Sequence, residues 1–285
     1  DKPDADEAEE NKQTQKALTE TKFTLLQAID AAMNEVKGGT IVEAEAEVED
    51  GKFGFEVEVA SGDQFKKVQM DATGKVVKTE VEKAEGQAWT FDHDEAGKAS
   101  AGWKFGYTNR SDGKATWMVT KDPKSMSGPN VLALEAKSGG SAFNLAMAEK
   151  TSYQDVDVRT RIRANTGKED QGGGLIWRAR DENNYYICRV NPLENNFRVY
   201  KVVGGKRQQL EGVGYKTETG KWHVVRAKMV GNHMQCYVDS KKLLDASDDT
   251  FQDAGMIGLW TKADASSSFD NIAVKTGKLS KNDGA

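Results

Sequence analysis

Apolar and polar positions divide the chain into two patterns. Residues 1–20 are acidic and polar with no apolar period, which predicts a solvated N-terminal tail. From Thr24 the spacing becomes helical: Leu25, Leu26, Ile29, Ala32, Met33 and Val36 fall on one stripe. Thr24 is placed to cap that helix, and Gly38 and Gly39 to end it. Strict alternation comes next. Val42, Ala44, Ala46 and Val48 share one strand face, and Glu43, Glu45, Glu47 and Glu49 share the other. Phe53, Phe55, Val57 and Val59 alternate in the same way with Glu56 and Glu58, after an Asp50-Gly51 turn signal. FKKVQMD and KVVKTEVEK continue the pattern on either side of Asp71-Ala72-Thr73-Gly74. The expectation is one helix on a small antiparallel sheet, an α+β unit over residues 21–83.

Residues 84–88 read as a linker. Beyond them nearly every signal is β. Strand-like runs occur at 115–120, 130–135, 142–147, 154–163, 173–180, 184–191, 196–203, 222–230, 233–239, 255–261 and 268–275. Turns rich in Gly, Asn, Asp and Lys separate them, which predicts a sandwich or jelly roll over residues 89–276 and a short tail at 277–285.

Composition narrows the function classes. The 285 residues are 37% hydrophobic and 30% charged, enough to bury a core with a solvated surface. A net charge of −5 argues against a nucleic-acid binder, which needs a basic face. No apolar run approaches the ~20 residues that span a bilayer. The chain begins at Asp1, and its acidic, polar start resembles the segment found after a removed export signal or a lipid anchor. The expected location is therefore periplasmic or extracellular. Cys188 and Cys236 have no metal-ligand spacing, and each alternates with apolar neighbours. They read as two buried thiols or as a bridge between neighbouring strands.

Two family resemblances sharpen the outline. TLLQAIDAAMNEVKGG, the Val57-Glu58-Val59 strand and the VQMDATGKVV ending resemble a PepSY domain over about residues 22–82. That resemblance implies inhibition or binding in the cell envelope and no catalytic residue. Residues 89–275 resemble a concanavalin A-like (laminin-G/glucanase-type) domain, nearest the 3-keto-disaccharide hydrolase-like group. The motifs are W-x-F-D at Trp89–Asp92, VLAL at 131–134, YQDVDV at 153–158, GGGLIWRARDENNYYICRVNPLENN, GKWHVVRA at 220–227, IGLWTKAD and FDNIAV. The fold class is thus mainly β: a large concanavalin A-like jelly-roll β-sandwich after a small N-terminal α+β PepSY-like domain.

Candidate chemistry is sparse. Glucanase-type relatives carry Glu-x-Asp-x-x-Glu, because glycoside hydrolysis needs two spaced carboxyls. That motif is absent here, so no catalytic residue is assigned. The loops at 181–186 and 191–196 mix amides, acids and rings, the mixture that sugar sites use. Candidate ligand residues are Trp177, Arg178, Arg180, Asn184, Tyr185, Arg189, Asn195, Trp260 and Lys262. Glu43, Glu45, Glu47, Glu49, Glu56 and Glu58 form a ladder that reads as a solvated outer face or as a docking surface for a basic protein partner. Asp248, Asp249, Asp253 and Asp270 are candidates for a structural Ca2+; no other cofactor is implied. His223 reads as a strand residue, and His93 sits among Asp92, Asp94 and Glu95 with too few fixed ligands for a metal centre. The expected function is exported, non-catalytic recognition of carbohydrate or glycan in the cell envelope. The alternatives are an accessory subunit of an extracytoplasmic protein complex, docking through the acidic module, and a glycoside-processing enzyme.

Overall fold

A computed structural model describes residues 5–49, 51–61, 64–109, 115–125, 128–137, 139–277 and 279. The side chains of residues 5–11, 49 and 82–85 lie outside that description, as do Asp1–Asp4 of the expected N-terminal tail and most of the expected C-terminal tail. The chain divides into two compact units, Asp1–Ala88 and Trp89–Ala285.

The first unit holds α1 (Ala5–Glu20), α2 (Leu25–Glu35), β1 (Thr40–Glu49), β2 (Lys52–Ser61), β3 (Gln64–Asp71) and β4 (Val76–Trp89). Helix α2 starts in a capping box: Gln27 N donates to Thr24 Oγ1 at 3.2 Å, and Thr24 N donates to Gln27 Oε1 at 2.9 Å. Ala28 and Ala32 of the helix, with Val36 at its C-cap, bury against Phe55, Val57, Val59, Val68 and Met70 of the antiparallel sheet β1-β2-β3-β4. Two expectations fail here. Residues 5–20, read as a solvated tail, form α1, because Ala, Glu, Gln, Lys and Leu favour helix without an apolar stripe. Residues 84–88, read as a linker, continue strand β4.

The second unit is a mainly β jelly-roll sandwich. Its strands are β5 (Trp103–Thr108), β6 (Ala115–Lys121), β7 (Asn130–Ala136), β8 (Phe143–Ala148), β9 (Val156–Thr166), β10 (Gly173–Asp181), β11 (Asn184–Asn191), β12 (Asn196–Val203), β13 (Lys206–Gly214), β14 (Trp222–Val230), β15 (His233–Val238), β16 (Lys241–Ser247), β17 (Met256–Lys262) and β18 (Ser266–Thr276). One sheet runs β13-β12-β11-β10-β17-β8-β5. The other runs β6-β7-β18-β9-β14-β15-β16.

Period-two alternation sends one face of each sheet into a shared core. From the seven-stranded sheet come Leu175, Trp177, Tyr186, Cys188, Phe197 and Val199; from the other come Val158, Ile162, Val225, Met229, Cys236 and Phe269. Both cysteines are free and buried. They lie on β11 and β15, in different sheets, so the expected alternative of a bridge between neighbouring strands does not hold.

The other face of the seven-stranded sheet is apolar too. Phe143, Leu145, Met147, Ile176, Tyr185, Ile187, Tyr200, Val202 and Trp260 form a second cluster there.

Candidate functional site

Register places this second cluster beneath a set of charged groups. Tyr200 pairs with Ile187 and Gln209, Val202 with Tyr185 and Arg207, and Arg189 with Arg198. Phe143, Trp260, Ile187, Tyr200, Arg207 and Gln209 therefore share one face. Arg207 lies over three of its rings, with Cζ 4.4 Å from the Tyr200 centroid, 5.3 Å from Phe143 and 5.6 Å from Trp260. The rings themselves are shut in: Trp260 and Tyr185 are 0% exposed and Tyr200 3%. What meets solvent is a guanidinium roof and its polar surroundings.

Those surroundings are tightly held. Arg189 donates from Nη1 to Asn196 Oδ1 at 2.6 Å and from Nη2 to Glu194 Oε2 at 2.9 Å and the Tyr200 hydroxyl at 3.3 Å. Asn196 Nδ2 donates to the same Glu194 oxygen at 2.9 Å. Burial alone would raise the Glu194 carboxyl, but the hydrogen bonds from Asn196 and Arg189 and the charges of Arg189 and Arg198 outweigh it and hold the group at about 2. Asp170 behaves oppositely. It accepts from Asn191 Nδ2 at 3.0 Å and Lys262 Nζ at 3.2 Å, yet burial raises its carboxyl against Arg189 and Lys262. At the sheet edge an open groove of about 310 Å³ is lined by Glu194, Asn195, Asn196, Arg198, Gln209, Gly212, Val213 and Gly214.

The same sandwich occurs in known proteins. The family model of the 3-keto-alpha-glucoside-1,2-lyase-like domain matches residues 89–275, more than half of the chain. The chain belongs to this family. Among curated proteins, the levanase of Bacillus subtilis (strain 168) is 23% identical over 168 residues, which is 56% of this chain and 24% of that protein. The chain thus spans about a quarter of the length of that relative. Among solved structures, the cellulose-induced protein Cip1 shares the fold, with a TM-score of 0.51 at 11% identity over 68% of this chain and 98% of that one. The carbohydrate-binding module CBM66 from Bacillus subtilis aligns with a TM-score of 0.48 at 22% identity, covering 61% of this chain and 96% of that one.

Within the lyase-like domain the predicted ligand residues separate. Tyr185, Arg189, Trp260 and Lys262 come together on the outer face, and Asn195 lines its groove. Trp177 does not: it packs into the inter-sheet core against Tyr186, with ring centroids 5.8 Å apart. Arg178 sits at a bulge with φ 46° and is spent on three carbonyls, Gln154, Phe251 and Gly231, at 2.6–2.8 Å. Arg180 pairs with Asp253 and stacks on Phe251, and Asn184 braces its own turn through Asp181. Sequence reasoning missed Arg207, Tyr200, Phe143, Gln209 and Asp170. The available signal was Gly204-Gly205 after a strand: both glycines take positive φ, and such a turn requires a returning strand, β13.

The four candidate calcium ligands do not converge. Asp248 serves Tyr186, Lys201 and Thr250, Asp249 receives Asn232, Asp253 pairs with Arg180, and Asp270 receives Ser125. Among the described residues no group of three or more His, Cys, Asp or Glu side chains is placed to hold a metal ion. His223 Nδ1 lies 2.7 Å from Asp239, a strand-bracing pair.

In the first unit the glutamate ladder departs from a solvated row. Glu43 faces Glu58 and Glu45 faces Glu56 across β1 and β2. Glu56 is held by Lys67 at 2.6 Å and Gln69 at 3.1 Å, while Glu58 is only 5% exposed. Burial, then the charges of Glu43, Glu47 and Glu56, raise Glu45 to about 7. The backbone of Glu49 pairs with Lys52, and its side chain lies outside the described residues.

Proposed function

We propose that this protein is a non-catalytic carbohydrate-binding protein of the cell envelope, and that the sugar lies on the outer face of the seven-stranded sheet. The observation that carries this reading is the groove beside the arginine roof. Its amide, carboxylate and guanidinium groups are fixed on a rigid sheet edge, the arrangement that orients hydroxyl-rich ligands. Membership of the lyase-like family and the similarity to a levanase support a saccharide as the ligand class. Stacking on Trp260 or Tyr185 has no part in it, because both rings are sealed. The test is an oligosaccharide array with the wild type and the variants Asn195→Ala and Gln209→Ala. Both positions are exposed; because Asn195 holds φ 50°, Asn195→Ala also strains its turn and is read beside Asn195→Gly, which does not. Each variant weakens the strongest hit by about fivefold, one lost hydrogen bond. A silent array, or affinities indifferent to both changes, overturns the reading.

A second reading, glycoside processing, is favoured by one observation: Asp170 is pushed up and Glu194 down within the same cluster, the division of labour an acid and a base require. Turnover of 3-keto-glucosides that Asp170→Asn abolishes supports it. No turnover by wild-type protein rules it out.

The first unit we read as a PepSY-like module that docks on a protein partner of an envelope complex. Helix α2 on a four-stranded antiparallel sheet supports that reading, and the ladder residues that remain half exposed, Glu43, Glu45 and Glu47, offer the acidic contact. Partner capture that survives Glu45→Lys/Glu47→Lys and high salt speaks against it. We propose a periplasmic or extracellular location, in keeping with a polysaccharide ligand; recovery from the cytoplasmic fraction of its native source would refute it.

A further inference from the structure

We infer that the saccharide is acidic, and that a carboxylate or sulfate ester on it is received by Arg207 at the head of the groove. The inference rests on the carbohydrate reading and deepens it. Its ground is an imbalance on one face of an otherwise acidic chain. Among the described residues, four cations cluster at the groove end of that face, apart from the Lys104–Glu182 pair: Arg189, Arg198, Arg207 and Lys262. Two carboxylates answer them. Glu194 takes Arg189 at 2.9 Å and Arg198 at 3.9 Å, and Asp170 takes Lys262 at 3.2 Å.

Arg207 is left over. Among the described residues it has no ion pair, and its Nη1 is buried without a hydrogen-bond partner. The orphaned group on the neighbouring arginine is a donor as well: Arg189 Nε is buried and unpaired. Asp170 and Glu194 reach this partly buried guanidinium only at longer range, without an ion pair, and a charge so incompletely compensated is costly unless a counter-charge arrives. Burial, with the charge of Arg189 adding to it, draws the Arg207 pKa below the ordinary guanidinium value, although Tyr200, Asp170 and Glu194 pull the other way.

The geometry suits an oxyanion on a sugar ring. The planar fork of arginine matches the two oxygens of a carboxylate or sulfate. Arg207 stays half exposed, and the rings beneath hold its plane fixed. Gln209, two residues along the same strand face, opens into the groove where the neighbouring hydroxyls would lie. A neutral sugar would satisfy the lone donors without relieving the charge.

The experiment is calorimetric titration of the full chain with three trisaccharides of one linkage: a galacturonide, its carboxyl-reduced neutral form and a sulfated form. The expected result is an acidic ligand bound about tenfold or more tightly than the neutral one. Raising salt from ~0.05 to ~0.5 M should narrow that gap. Arg207→Gln removes the preference, and Arg207→Lys restores part of it, charge without the fork. Because Arg207 packs on three rings, Arg198→Gln at the exposed groove wall is the second probe, and it narrows the preference with the sheet intact. A preference carried by the sulfated form alone keeps the oxyanion and identifies its source as an ester. Equal binding of neutral and acidic forms overturns the acidic ligand and leaves carbohydrate recognition standing. Failure of all three to bind, with a silent array, removes both.

Discussion

Asp248, just past the end of β16, is hydrogen-bonded by the Tyr186 hydroxyl at 2.7 Å, Lys201 Nζ at 2.6 Å and Thr250 N at 2.9 Å. Burial would raise its carboxyl; these donors together hold it at about 2 instead. A carboxyl whose folded pKa lies below its unfolded value stabilises above the unfolded pKa, about 3.9. That contribution is lost as pH falls toward 2. Asp248→Ala should therefore lower unfolding stability by about 2–3 kcal/mol at pH 7, since it strands a lysine and a tyrosine hydroxyl. Urea denaturation at pH 7 and at pH 2.5 checks this, the deficit shrinking in acid. Glu45 carries the opposite sign. Raised to about 7, it is protonated more readily folded than unfolded, so its penalty grows as pH climbs from about 4.5 through 7. Glu45→Gln should stabilise the protein at pH 8 and have little effect at pH 5, read as the change in melting temperature at each pH. Neither carboxylate was legible as such. Asp248 carried the residue type of a calcium ligand, and Glu45 that of a solvated strand face. Their roles depend on partners 47 or more residues away, as Lys201 and Tyr186 are from Asp248, or on neighbouring strands, and no local pattern records those.

Strands β1, β2, β9 and β15 were readable because half of each is driven into a core and period two leaves its mark, and β11 and β12 because they are apolar runs between turns, buried on both faces. Strand β13, KRQQLEGVG, was not readable. It is the sheet's edge, largely exposed, with no apolar face to impose a period. Yet it supplies Arg207 and Gln209, so the part of the site hardest to read is the part that caps it. Strand β10 shows how little slack the inner strands have. Gly174 pairs with Arg189 on one side and Trp260 on the other, and a Cβ there would be driven into the Cys188 carbonyl. Gly174→Ala must push β10 and β11 apart beneath the arginine cluster. The expected loss is at least about 2 kcal/mol of stability, seen as a lower denaturation midpoint, with ligand affinity falling alongside.

The chain's 2 cysteines both belong to the lyase-like unit, one on each sheet, and meet within its core. Both thiols are shut off from solvent, and burial with the adjacent Cys188 pushes Cys236 well above the ordinary thiol range, so burial keeps either sulfur from reacting while the sandwich is closed. Local fraying of an edge strand exposes neither, because β11 is flanked by β10 and β12, and β15 by β14 and β16. Reaching one thiol requires parting the sheets, which uncovers the other. Alkylation should therefore track the cooperative opening of this unit and proceed in pairs. Under native conditions, mass spectra taken during slow labelling should show unmodified and doubly modified protein with almost no singly modified species. The labelling rate should rise with urea at the slope of equilibrium unfolding of this unit. Accumulation of a single adduct at Cys236 would mean that β15 and β16 open alone, and that the core between the two sheets is not one cooperative body.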